Sequence, residues 1–303
     1  AQMRAKILGA LGKIAPQADS TLQILMAGLQ DKQAVVRTQA AEEFRFLATS
    51  NGITLSDPEV KAILPGLITA LKDDHEDVRR KAIWAIGGIG PRAKNALPQV
   101  MEAAVNDSHV PVREYALWTM EKIAPQDPLL AKALIAGLKD QEPSVRKRAA
   151  ETLILLESPA KEAVPQLIAA AQDQQVEVAL KAIWALGKIG PEAKDAVPLL
   201  MDMLEQSDAR QWYAAWSLGK IGKAAEAATP ALIRILKDEK TEQRPRSEAI
   251  EALEKIRPAT PSAISQLKAF AETRLRDNDA WITHELRLRA GRLVAALESG
   301  VQR

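Results

Sequence analysis

Ile83-Trp84-Ala85-Ile86-Gly87-Gly88-Ile89-Gly90-Pro91 returns as Ile183-Trp184-Ala185-Leu186-Gly187-Lys188-Ile189-Gly190-Pro191, and again as Trp216-Ser217-Leu218-Gly219-Lys220-Ile221-Gly222. One repeating unit accounts for all three. Outward from these stretches, a small residue early in a recurrent helix falls at Ala40, Ala82, Ala116, Ala149, Ala182, Ala214, Ala249 and Ala290, at intervals of 32 to 42 residues. A period of this size marks a stacked array, in which each unit buries its apolar side only against its neighbours. That takes precedence over the length of 303 residues, which alone suggests two domains.

Each unit reads as two antiparallel helices. The first is announced by a proline at Pro65, Pro98, Pro165, Pro198 or Pro230, read as lying in the opening turn, where the missing N–H costs nothing. A polar turn follows with Asp31, Asp73, Asp107, Asp140, Asp173 or Asp238. The second helix starts near Val36, Val78, Val112, Val145 or Val178 and stops at Gly-Pro or Ala-Pro, as at Gly90-Pro91 and Ala124-Pro125. Three residues before the small anchor stands Arg37, Arg79, Arg113, Arg146, Arg246 or Arg287; Ala179 and Gln211 replace it. Because an Asp and an Arg recur in most units, they predict turn-fixing and inter-repeat hydrogen bonds rather than a catalytic acid and base. Val78, Ala82, Ala85, Ile86 and Ile89 fall within one arc of about 100° and form the buried seam. Nothing alternates with the period of a strand.

The pattern Pro-x-Leu-Ile-x-x-Leu-x-Asp, then Val-Arg-x-x-Ala-x-x-Ala-Leu-Gly-x-Ile-Gly-Pro, resembles the HEAT-repeat family in its short, PBS (bilin) lyase HEAT-like subtype. The likeness runs over residues 3 to 258 and is looser beyond. It implies an all-α, right-handed solenoid of about eight two-helix repeats plus an N-terminal half repeat, one domain over 1–303. Within it, 1–16 is the half repeat, with Ile7 in the Ala place, and 17–258 holds regular repeats with a loop insertion near 49–58. Residues 259–303 form a longer capping repeat. The resemblance also implies that second helices line a concave surface, and that the chain is a non-catalytic protein-interaction scaffold.

Charge and composition narrow the classes of function. With 41 Lys+Arg against 39 Asp+Glu, the net charge of +2 does not favour nucleic acid as a partner. No apolar run of about 18 residues predicts a membrane span. Zero Cys removes disulfides, thiolate metal sites and a Cys nucleophile. The chain opens Ala1-Gln2-Met3, which reads as a processed product or a cut piece; with the absence of Cys, this leans toward an exported bacterial protein over a cytoplasmic one.

The aromatic residues are placed with a pattern. Positions two, three, six, nine and ten after the opening Val point away from the seam. They carry Trp84; Tyr115, Trp118 and Lys122; Trp184 and Lys188; then Trp212, Tyr213, Trp216 and Lys220. Five of the six Trp and both Tyr lie on this stripe. One reading makes each Trp part of the subtype's own inter-repeat packing. The other makes the stripe a binding groove for a protein or peptide segment, since Trp, Tyr and Arg dominate hot spots. An aromatic small ligand such as a bilin is the alternative occupant.

Chemistry of other kinds is not predicted. His75, His109 and His284 lack metal spacing. His75-Glu76 and His284-Glu285 are two His-Glu pairs, where the HEAT-repeat deoxyhypusine hydroxylases use four. A resemblance to alkylpurine DNA glycosylases would need a strongly positive groove, against which the balanced charge argues. Gly87-Gly88 and Gly187 lie late in helices and follow no strand, so they do not form a phosphate loop. No cofactor is expected.

Overall fold

The structure, a computed structural model, describes residues 1–14, 19–49, 55–156, 161–273 and 281–300. The described residues are helical throughout, joined by short turns. A single helix, α1 (Gln2–Ile14), precedes eight pairs: α2 (Asp19–Gly28) with α3 (Ala34–Thr49), α4 (Asp57–Ala70) with α5 (Glu76–Ile89), α6 (Leu97–Asn106) with α7 (Val110–Ile123), and α8 (Pro128–Gly137) with α9 (Pro143–Leu155). The remaining pairs are α10 (Val164–Ala170) with α11 (Val176–Ile189), α12 (Val197–Met203) with α13 (Ala209–Ile221), α14 (Thr229–Lys237) with α15 (Gln243–Ile256), and α16 (Pro261–Glu272) with α17 (Trp281–Glu298). The chain divides into two compact units, Ala1–Thr152 and Leu153–Arg303. In the first, α1, α3, α5 and α7 pack in succession; in the second, α11, α13, α15 and α17 do the same.

Small residues set the packing. All eight Ala anchors have zero exposure. On α3 and α9 the anchor faces the first helix of its own pair: a Cβ added to Gly28 or Gly137 would come within 3.0 Å of the Ala40 or Ala149 Cβ. Contacts this close bring helix axes toward the lower end of the usual 8–10 Å. Around the anchors, Ile83, Ile86, Leu117, Met120, Ile183 and Leu186 are fully buried, each stabilising the stack by about 1.5–3 kcal/mol.

The half repeat is observed as α1, with Ala5 and Leu8 buried against the stack. Ile7, read from the sequence as the counterpart of the Ala anchors, is instead 49% exposed, and Met3 is 71% exposed. In the pairs, that side is covered by the first helix, and α1 has no such partner among the described residues.

Glycine ends three of the second helices. Gly90 and Gly190 both adopt φ 72°, a left-handed conformation that strains a residue with a Cβ. The chain then runs through a 3-10 segment, 90–96 or 190–196, and enters the next first helix with Pro98 or Pro198 in its opening turn. Pro65 departs from the expectation: it lies inside α4, not in the opening turn. A capping box starts α4 earlier, where the Ser56 hydroxyl accepts the Glu59 N–H and the Glu59 carboxylate accepts the Ser56 N–H. The insertion near 49–58 is accordingly shorter than a loop over its whole span, because Thr49 closes α3 and Asp57-Pro58 open α4. Residues 50–54 of it, and the polar stretch 274–280, lie outside the described residues.

The Asp and Arg of the repeat pair across neighbours. Arg37 binds the Asp73 carboxylate through Nε and Nη2 at 2.6 and 2.8 Å, Arg79 binds Asp107 at 2.7 and 2.9 Å, and Arg113 binds Asp140 at 2.7 and 2.8 Å. Each guanidinium also donates through Nη1 to a backbone carbonyl of its own turn, at Asp31, Asp73 or Asp107. Each carboxylate accepts an N–H two residues on, from His75, His109 or Glu142. One Arg therefore staples two consecutive turns with bidentate, charge-assisted geometry. In the Leu153–Arg303 unit one rung has lost both ends, since Ala179 stands in the Arg place and Gln206 in the Asp place.

Candidate functional site

The seven stripe aromatics divide between the units, and all seven are half-buried. In Ala1–Thr152, the ring of Trp84 on α5 stacks on Tyr115 of α7, with centroids 5.0 Å apart and planes at 23°. The guanidinium of Arg45, on α3, lies 4.4 Å from the Trp84 centroid, a cation–π contact. Glu42 holds Arg45 at 2.5 Å and Lys81 at 2.8 Å. The hydrogen bond from Arg45, reinforced by Lys81, outweighs partial burial and lowers the Glu42 carboxyl to about 2. Trp118 leans over Gly87, where a Cβ would collide with its ring, and the adjacent Thr119 hydroxyl donates to the Ile83 carbonyl at 3.0 Å. Lys122 is exposed and lies 3.0 Å from Glu121.

The Leu153–Arg303 unit repeats the device with more rings. Trp216 on α13 leans over Gly187 of α11, and Ser217 donates to the Ile183 carbonyl at 2.8 Å. Trp184 meets Trp216 edge to face at 6.3 Å and 86°, and Tyr213 at 6.2 Å and 48°. Trp212 stacks on Tyr213 at 3.6 Å, and Arg244 of α15 lies 3.3 Å from the Trp212 centroid. The Lys181 and Lys220 ammoniums stand 5.6 and 5.4 Å from the rings of Trp184 and Trp216. Lys188 is exposed on α11.

Each ring is thus seated on a neighbouring residue and keeps part of its surface in solvent. Sequence reasoning missed Arg45, Arg244 and the role of Gly87 and Gly187. For three of these a signal exists: Arg45, Gly87 and Gly187 all lie five residues after their Ala anchor, and each receives a ring from the next repeat at Trp84, Trp118 or Trp216. Arg244 precedes the place of the opening Val, outside the positions that the stripe counts.

Elsewhere, His75 caps α5, its Nδ1 accepting the Asp77 N–H at 3.3 Å, and His109 precedes α7 in the same way without a side-chain cap. No group of three or more His, Asp or Glu among the described residues could hold a metal ion. No described helix is long and apolar enough to cross a membrane.

Comparison with known proteins adds the following. A family model for HEAT repeats matches residues 64–134 and 131–212, and a PBS lyase HEAT-like repeat matches 211–238, so that together they span more than half of the chain. No curated protein matches the sequence. Among solved structures, the crystal structure of an engineered protein from the Northeast Structural Genomics Consortium superposes with a TM-score of 0.61 at 20% identity, covering 96% of this chain and 84% of its own. A second engineered protein from the same consortium gives a TM-score of 0.41 at 21% identity, over 78% of this chain and 96% of its own. The first likeness shows the fold and nothing of activity.

Proposed function

Because the chain belongs to the HEAT-repeat family and carries a PBS lyase HEAT-like repeat, we propose that it is a non-catalytic scaffold that binds a protein or peptide segment on its second-helix face. The contact residues in this reading are Trp84, Tyr115, Trp118 and Lys122 in one unit, and Trp184, Lys188, Trp212, Tyr213, Trp216 and Lys220 in the other. One observation carries it: six of the seven large rings are held in ordered mutual contacts and the seventh, Trp118, is seated on Gly87, while each keeps surface in solvent. An aromatic fixed in this way loses little conformational freedom on binding, which is why such residues serve as anchors.

The test is capture by the immobilised full chain of proteins from its native host, wild type against Trp184→Ala/Trp216→Ala. Each hot-spot truncation is expected to cost about 2 kcal/mol or more. Undiminished capture by a variant with unchanged helical circular dichroism rejects the reading. A second reading, a bilin-binding or lyase-like module, is favoured by the match of a PBS lyase HEAT-like repeat to residues 211–238, which include Trp212, Tyr213 and Trp216. It predicts quenching of tryptophan fluorescence by micromolar bilin, which a peptide-binding scaffold does not require.

A further inference from the structure

The sixth residue after the Ala anchor is Lys122 on α7, Lys188 on α11, Lys220 on α13 and Lys255 on α15. Two of these are already neutralised, Lys122 by Glu121 at 3.0 Å and Lys255 by Glu251 at 2.5 Å. Lys188 and Lys220, on helices that pack against each other, meet no carboxylate within ion-pair distance among the described residues, and both are exposed. Glu251, whose carboxyl feels the charge of Lys220, is bound instead to Lys255 at 2.5 Å. Glu248 is half-buried, and burial pushes its carboxyl up. By contrast, in the Ala1–Thr152 unit the cations beside the rings are paired, Arg45 and Lys81 with Glu42 and Arg80 with Asp77.

The edge-to-face rings of Trp184 and Trp216 with tilted Tyr213 have the form of walls that suit a cationic ligand. Those walls are taken, because Lys181, Lys220 and Arg244 already stand on Trp184, Trp216 and Trp212. A cation would meet like charge there, whereas a carboxylate completes the Lys220 ammonium. Packed helices lie about 8–10 Å apart, so Lys188 and Lys220 offer two positive charges at about that spacing. A polyproline II segment presents every third residue on one side at about 9 Å intervals, and this conformation docks on aromatic-lined surfaces.

Resting on the scaffold reading above, we infer that the second-helix face of the Leu153–Arg303 unit takes an acidic, extended polypeptide segment with carboxylates three residues apart. Its carboxylates meet Lys188 and Lys220, and its apolar residues lie on the rings between them. Complementary charge of this kind sets the choice of partner and the rate of association more than it sets raw affinity.

The experiment titrates the full chain with a synthetic peptide of four Glu-Pro-Leu triplets, followed by tryptophan fluorescence, against the matching Lys-Pro-Leu peptide. The acidic peptide is expected to bind, more weakly as salt rises, and the basic one to bind at least about tenfold more weakly. Lys188→Glu/Lys220→Glu is expected to weaken the acidic peptide by about tenfold or more, while Lys132→Glu, exposed on the first helix α8, leaves it unchanged. Equal binding of the two peptides, no binding of the acidic one, or an unchanged affinity in Lys188→Glu/Lys220→Glu overturns the inference. If it fails while Trp184→Ala/Trp216→Ala still abolishes protein capture, the scaffold reading stands and only the charge of its partner is wrong.

Discussion

Arg79 ties four groups together: the Asp107 carboxylate of the next repeat, the Asp73 and Asp74 carbonyls of its own turn, and His109 Nδ1 at 3.1 Å. The Asp107 side chain is only 6% exposed. Arg79→Ala therefore leaves a buried charge without its partner, and a loss of about 3 kcal/mol is expected in urea unfolding followed by circular dichroism. Arg79→Lys keeps the charge but not the two-pronged geometry, so most of that loss should remain. The two kinds of glycine separate by the same logic. Gly187→Ala forces the Trp216 ring to move and is expected to cost about 1–3 kcal/mol with a change in tryptophan emission. Gly190→Ala costs about 1 kcal/mol or more through its positive φ, and its Cβ meets no ring.

At the scale of the element, α4 differs from the other first helices because its start is moved forward by the capping box at Ser56. Where α6, α10, α12 and α14 follow a 3-10 segment and hold their proline in the opening turn, α4 carries Pro65 in its interior, exposed to solvent. An interior proline removes one helical hydrogen bond and crowds the preceding turn. Pro65→Ala is expected to raise stability by about 1–2 kcal/mol, the helical gain of up to about 3 kcal/mol being offset in part by a freer unfolded chain. Ser56→Ala is expected to cost about 1 kcal/mol by removing the cap. Unfolding midpoints of the two variants moving in opposite directions check both; a destabilised Pro65→Ala would show that the helix is held by something other than its own backbone.

Across the whole molecule the rungs respond to pH together. Burial by itself would raise the carboxyls of Asp73, Asp107 and Asp140. The hydrogen bonds from Arg37, Arg79 and Arg113, and from the N–H two residues on, outweigh it and hold all three below the usual range. A carboxyl lowered by folding contributes stability that is full above its unfolded value of about 4 and is lost as pH falls through the folded value. Thermal melts are therefore expected to be flat from pH 7 to about 5 and to fall below about 4. Hydrogen exchange should place that loss first in the Ala1–Thr152 unit, which holds these three rungs, and Asp107→Asn should flatten the fall. An acid transition that begins instead around α11 and α13, where Ala179 and Gln206 replace a rung, would contradict this assignment.

Periodicity alone was enough to read the helix pairs, their order and the buried Ala anchors, because a 3.6-residue pattern and a fixed spacing are local properties that each repeat states again. The Asp and Arg were legible as a ladder for the same reason, but not which Asp each Arg takes, since Asp73 and Arg79 are near in sequence while Arg37 reaches Asp73 only across the stack. Pro65 and Ile7 misled because their surroundings differ from those of their counterparts: an earlier cap in one case, and in the other no covering first helix among the described residues. The stripe could be placed on one side of the second helices from sequence, whereas the cations on its rings could not. Arg45 over Trp84 and Arg244 over Trp212 depend on the offset between adjacent helices, and that offset is set by how closely Ala and Gly let backbones approach, a property that exists only once the repeats are stacked.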